Sequence, residues 1–184
     1  LWSKVRRSFV ITNPAKRSAL FVLPAMLALL LPAVAAEQAA DAYQPILEYD
    51  PKRDAAADID AAVAEAKRSK RHVLVEVGGE WCGWCHRLED YLKEKKKLNA
   101  LLERNFVVVK VNYSPENENE EVLSRYPEVA GYPHFFVLDG KGKLLHSQDT
   151  AKLEKGKSYH ARKFKRFLTR WGPRGSAPPR RRRY

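Results

Sequence analysis

Val73, Leu74, Val75 and Val77, interrupted only by Glu76, make a short valine-rich run that predicts a buried strand. The same texture returns at residues 106–111 (F-V-V-V-K-V) and 134–138 (H-F-F-V-L). Residues 143–146 add a fourth strand, reached through the turn Asp139-Gly140-Lys141-Gly142. Between these runs the apolar spacing changes from continuous to helical. Ile59, Ala62, Val63 and Ala66 form one stripe, with Asp54 as N-cap, and predict a helix to about Ser69. Leu88, Tyr91 and Leu92 form a second stripe, resumed by Leu98, Leu101 and Leu102 after Lys93, Lys95, Lys96 and Lys97, a solvated face or a break. A short helix is expected at residues 120–126, ahead of Pro127. Phe164, Phe167, Leu168 and Trp171 define a closing helix over residues 158–171. Ile46, Leu47 and Tyr49 could dock as a short first strand, and residues 114–121 read as a polar surface loop. The alternation predicts an α/β domain, a central mixed β-sheet flanked by helices.

Charge changes how the ends are read. The net charge of +12 suggests nucleic acid, but five Lys/Arg without an acid lie in residues 1–36 and five Arg without an acid in residues 172–184. That leaves 24 basic against 22 acidic residues in 37–171, so the domain is nearly neutral and no nucleic-acid partner is expected. Lys4, Arg6, Arg7, Lys16 and Arg17 precede an apolar run at residues 19–31 and the small-residue stretch Ala33-Val34-Ala35-Ala36. That is the layout of a cleaved signal peptide, which makes the protein periplasmic or secreted; uncleaved, it would be a membrane anchor. Residues 37–53 read as a linker, 54–171 as the domain and 172–184 as a basic disordered tail. The tail either attracts an anionic membrane or is a solvated end without a role, and the latter is the preferred reading.

The candidate chemistry lies between the first long strand and the helix after it. Cys82 and Cys85 are the only cysteines, so neither a second disulfide nor a second pair for a zinc site is available. Cys82 falls where strand gives way to helix, at a helix N-terminus, where unpaired N–H groups favour a thiolate. Cys85 lies one turn further on, within reach of a small disulfide ring.

The order of elements and the string Glu80-Trp81-Cys82-Gly83-x-Cys85 resemble the thioredoxin family over residues 54–171, in particular its exported single-domain members. Glu76, six residues before Cys82, stands where thioredoxins carry a buried acid; Lys110 stands where they carry a partly buried lysine. Gly131-Tyr132-Pro133 stands at the place of the family's cis-proline. Trp84 departs from the family, which has Pro or His there. The resemblance implies a thioredoxin-like fold and a thiol–disulfide oxidoreductase with a redox disulfide Cys82–Cys85. Cys82 attacks, Cys85 resolves, and Glu76 takes the Cys85 proton. It implies that Trp81, Trp84, Tyr132 and Pro133 receive the substrate, and that His86 and Lys110 modulate the site. Clients are proteins with disulfides or thiols, joined by a recycling redox partner; no cofactor or metal is expected. Each role has a plainer alternative: Glu76 and Lys110 reaching solvent, Trp81 packed in the core, His86 facing water, Pro133 an ordinary turn residue; Trp84, between the cysteines, is expected to be exposed.

Two further readings compete. Cys82-Gly83-Trp84-Cys85-His86 also fits the attachment pattern of a c-type haem. A non-catalytic thioredoxin-fold binding module would keep the fold without turnover.

Overall fold

The computed structural model describes residues 43–173. The signal-peptide reading of residues 1–36 and nearly all of the basic tail lie outside them. Helix α1 (Ala55–Ser69) begins where Asp54 accepts the Ala57 N–H at 3.0 Å, and ends at Lys70 in the left-handed region. Strand β1 (His72–Gly78) follows, then α2 (Gly83–Glu94) and α3 (Lys96–Asn105). The break between these two helices sits at Lys95, inside the lysine cluster. Strand β2 (Phe106–Asn112), a single helical turn α4 (Glu120–Leu123), β3 (His134–Leu138) and β4 (Leu144–Asp149) complete the central layer.

Among the described residues, the main sheet has four strands in the order β2-β1-β3-β4. β1 runs parallel to β2, in a register that sets Glu76 opposite Lys110; β3 is antiparallel to both β1 and β4. This is the mixed sheet expected from the sequence. The strands' twofold alternation sorts their side chains to two faces. Val73, Val75, Val77, Val107, Val109, Val111, Phe136 and Leu138 pack under α1. Leu74, Phe106, Phe135 and Val137 pack under α2, α3 and the closing helix α5 (Ala161–Trp171). Glu76 shares its parity with Leu74, so the strand delivers a carboxylate into the layer that holds the cysteine helix.

Several expected elements differ in extent. Ile46 makes one parallel bridge to Val109 and Tyr49 is buried, whereas Leu47 is 58% exposed, so the first strand reduces to a bridge. The helix expected at 120–126 closes after Leu123. The closing helix starts at Ala161, with His160 as its N-cap, because residues 150–159 form a 3-10 turn (Thr150–Leu153) and a two-stranded ribbon, β5 (Glu154–Lys155) and β6 (Ser158–Tyr159). The ribbon brings Tyr159 under the cysteine helix, against Trp84, Tyr91 and Phe164.

Candidate active site

Cys82 is the N-cap of α2, with extended backbone (φ −86°, ψ 98°). Its Sγ accepts the Cys85 N–H at 3.1 Å. Its sulfur therefore sits where the helix offers free donors and the positive end of its dipole, as its place in the sequence predicts. Cys82 and Cys85 are joined as a disulfide with Cα atoms 5.2 Å apart. Cys82 retains 3% exposure and Cys85 none.

Burial of Cys85 is enforced by Gly78 and Tyr49. A Cβ on Gly78 would lie 2.5 Å from Cys85 Sγ and 2.9 Å from Tyr49 Oη, so both atoms border one space left open by a hydrogen. Tyr49, Cys82 and Cys85 form a buried cluster, with Trp84 and Tyr132 packed against it. Tyr49 donates a 2.6 Å hydrogen bond to Glu76 Oε1. Burial raises the Glu76 carboxyl above its ordinary value, against the charge of Lys110 and the Tyr49 hydrogen bond, which lower it. Lys110 also pairs with Glu89 and sets its ammonium 4.6 Å from the centre of the Tyr49 ring. Glu76, bonded to Tyr49, and Lys110, paired with Glu89, are thus both buried, not the solvent-facing residues of the plainer reading.

The surroundings of the sulfurs are aromatic. Trp81 is 56% exposed; its indole N–H donates to the Tyr113 carbonyl at 2.7 Å, and its ring meets Tyr132 edge-on at 5.5 Å. Tyr132 stacks on Tyr113 at 4.9 Å. Trp84, the residue between the cysteines expected to be exposed, is instead half-buried. It lies edge-on to Tyr159 with the Arg87 guanidinium 4.9 Å from its ring centre. The Tyr132–Pro133 peptide is cis, as the resemblance implies. The Thr150 hydroxyl donates to the Pro133 carbonyl at 2.5 Å. His86 is exposed, with Nε2 2.7 Å from the Glu80 carbonyl.

Three residues of this site escaped the sequence reading as site residues. Tyr49 was visible only as an apolar residue of a docking segment, Thr150 carried no signal, and His134 was read as a strand residue. His134 is buried beside Pro133, its Nε2 2.8 Å from Ser147 Oγ; burial lowers its pKa.

The site does not fit a covalently attached haem. Attachment through both sulfurs needs room beside each, and the surroundings of Cys85 lack space even for a methyl group on Gly78.

A thioredoxin-like family model matches residues 54–140, which include both cysteines, Glu76, Lys110, Tyr132 and Pro133. The chain has a thioredoxin-like fold, and its residues 54–140 resemble that family. It is similar to a disulphide isomerase of known structure from Xylella fastidiosa Temecula1, with 25% identity and a TM-score of 0.58, over 70% of this chain and 98% of that one. It also resembles the disulfide bond reductase DsbH of Chlamydia pneumoniae, with 26% identity over 93 residues. That match covers 46% of this chain and 55% of the relative, so the chain spans about half the length of the curated relative it matches.

Proposed function

We propose that this protein is a thiol–disulfide oxidoreductase acting on protein disulfides through Cys82 and Cys85 in an exported compartment. The observation that carries the reading is the sulfur pair itself. One sulfur caps a helix and keeps a sliver of exposure; the other is fully buried one turn on, and the two are already closed as a disulfide. In the reduced protein the capping position favours a Cys82 thiolate. Cys82 attacks a client disulfide and forms a mixed disulfide; Cys85 then attacks Cys82 and releases the client thiolate. The reverse sequence oxidises a client dithiol. Glu76, held by burial as a weaker acid than usual, is the base for the Cys85 proton.

Exposed Trp81 and the Tyr132–Pro133 segment form the client-facing rim, where the Tyr132 backbone pairs with an extended client segment. Trp84 contributes as a half-buried wall. His86, its Nε2 2.7 Å from the Glu80 carbonyl, lies in the first turn of the helix as a modulating residue. The clients are proteins with disulfides or thiols, and a second redox protein recycles the pair. Export rests on the basic, apolar and small-residue pattern of residues 1–36. Among the described residues, no helix is long and apolar enough to cross a membrane.

The test is trapping. Cys85→Ser should accumulate mixed disulfides on Cys82, and Cys82→Ser few or none, as read by mass spectrometry. Adducts mainly on Cys85 would reverse the assignment. A wild-type dithiol that exchanges with no protein disulfide would leave the binding-module reading in place. Equilibration with glutathione gives the direction of the reaction. A potential of about −270 mV makes the protein a reductant, and one of about −120 mV an oxidant.

A further inference from the structure

We infer that the Tyr49 hydroxyl carries the Cys85 proton to Glu76 during the resolving step. The inference rests on the assignment of Cys85 as resolving thiol and Glu76 as base, and adds the group between them.

The geometry is that of a short wire. Tyr49 Oη is 2.6 Å from Glu76 Oε1 at one end. At the other it shares with Cys85 Sγ the space over Gly78, where a Cβ would lie 2.9 Å from one atom and 2.5 Å from the other. A Cβ there would be crowded by both atoms at once, so the sulfur and the phenol oxygen border the same small space beside the Gly78 Cα. Beyond Glu76 the path opens. Glu76, Glu89, Lys110, Lys93, Leu47 and Leu92 are among the residues lining a surface cleft of about 240 Å³. Cys85 lies at the closed end and the cleft at the open end, with Tyr49 and Glu76 between.

The step balances as follows. With a client sulfur on Cys82, the Cys85 thiol gives its proton to Tyr49 Oη as the Tyr49 proton passes to Glu76 Oε1. The Cys85 sulfur forms its bond to Cys82, the bond from Cys82 to the client breaks, and the electron pair leaves with the client thiolate. The cysteine pair is oxidised and the client sulfur reduced. Tyr49 ends with the proton count it began with. Both transfers are concerted, because burial and the neighbouring Glu76 charge push the Tyr49 phenol well above its ordinary value and disfavour a free phenolate. The charged and titratable groups acting on this wire are Lys110 from β2, Glu89 from α2 and Tyr159 from β6.

The aromatic disulfide 5,5′-dithiobis(2-nitrobenzoate) tests this without a protein client. The reduced protein releases one coloured thiolate when Cys82 attacks and a second when Cys85 resolves, so stopped-flow absorbance reads both steps. Tyr49→Phe keeps the ring and removes the hydroxyl. The expected result is a second phase slowed roughly 10-fold or more near pH 7, with the first phase within about twofold of wild type. The rate of the second phase across H2O/D2O mixtures should curve for wild type, with two protons in flight, and become linear in Tyr49→Phe. An unchanged second phase with the same curvature overturns the proposal. So does equal slowing of both phases, which would mark Tyr49 as a packing residue. Should Tyr49→Phe fold poorly, Glu76→Gln keeps an acceptor for the Tyr49 hydroxyl but removes the base. It should slow only the second phase and abolish the curvature; retained curvature overturns the relay. Failure of protein clients to exchange would sink the proposed function while leaving both phases readable.

Discussion

Two glycines five residues apart should respond to alanine with opposite signs. At Gly78 a new Cβ would lie 2.5 Å from Cys85 Sγ, 2.9 Å from Tyr49 Oη and 3.0 Å from Tyr49 Cζ. None of these atoms can retreat cheaply. The sulfur is bonded to Cys82 in a fully buried position, and the phenol is tied to Glu76 at 2.6 Å. The methyl group therefore has to move the end of β1 away from α2, or break the Tyr49–Glu76 contact. Overpacking of this kind costs about 1–3 kcal/mol. At about 2–4 °C per kcal/mol for chains of this size, the oxidised protein should melt several degrees lower. At Gly83, the first residue of α2, a methyl group would meet nothing within 4 Å, and the backbone is helical. There alanine should stabilise by about 0.4–1 kcal/mol through the entropy of the unfolded chain. Urea denaturation of the three oxidised proteins at pH 7 gives both numbers. Gly78→Ala with an unchanged midpoint and an unchanged second phase in the aromatic-disulfide assay would refute the tight contact among Gly78, Cys85 and Tyr49.

Glu76→Gln should be more stable than wild type near neutral pH. The carboxyl's folded pKa is raised, so wild type is favoured at low pH and loses that stability as pH rises from the unfolded value through the folded one; urea midpoints at several pH values between about 4 and 8 should show the gap widening and then levelling. A gap independent of pH would mean that the carboxyl titrates alike in both states. Trp81→Ala removes a side chain that is 56% exposed and one hydrogen bond to Tyr113, so stability should fall by only about 1 kcal/mol while the KM for protein clients rises; an unchanged KM would remove Trp81 from the rim. Thr150→Val leaves the Pro133 carbonyl without its 2.5 Å donor in a buried setting, and should cost about 1–3 kcal/mol in thermal denaturation; no loss would show that the segment is held by other contacts.

The sequence by itself determined the elements and the place of the sulfur chemistry. Twofold and helical spacing are local properties, so the valine runs became β1 and β2 and the Leu88/Tyr91 stripe became the buried face of α2. Asp54 capped its helix because a side-chain oxygen three residues from an unpaired N–H needs no distant partner. Cys82 fell on the helix N-terminus for the same reason: the strand's end and the helix's start are both written within a few residues. The opposition of Glu76 and Lys110 was legible only through the family resemblance, since the register of β1 on β2 is a long-range fact.

What surrounds the sulfurs was decided by tertiary structure. Tyr49 lies 27 positions from Glu76, and nothing near it in the chain marks it as the partner of a buried carboxylate. Thr150 reaches the Pro133 carbonyl across 17 positions through a 3-10 turn, and Tyr159 reaches the Trp84 carbonyl across 75 through a two-stranded ribbon with two residues in each strand. Segments this short carry too few residues for a periodicity to register, and they hold their shape by packing on elements already in place. Trp84 was expected to face water because it lies between two cysteines at the start of a helix; the ribbon supplies Tyr159 and covers it. Local spacing fixes which residue begins a helix. Which side chain touches its first turn depends on segments that arrive from elsewhere in the chain, and only folding brings them together.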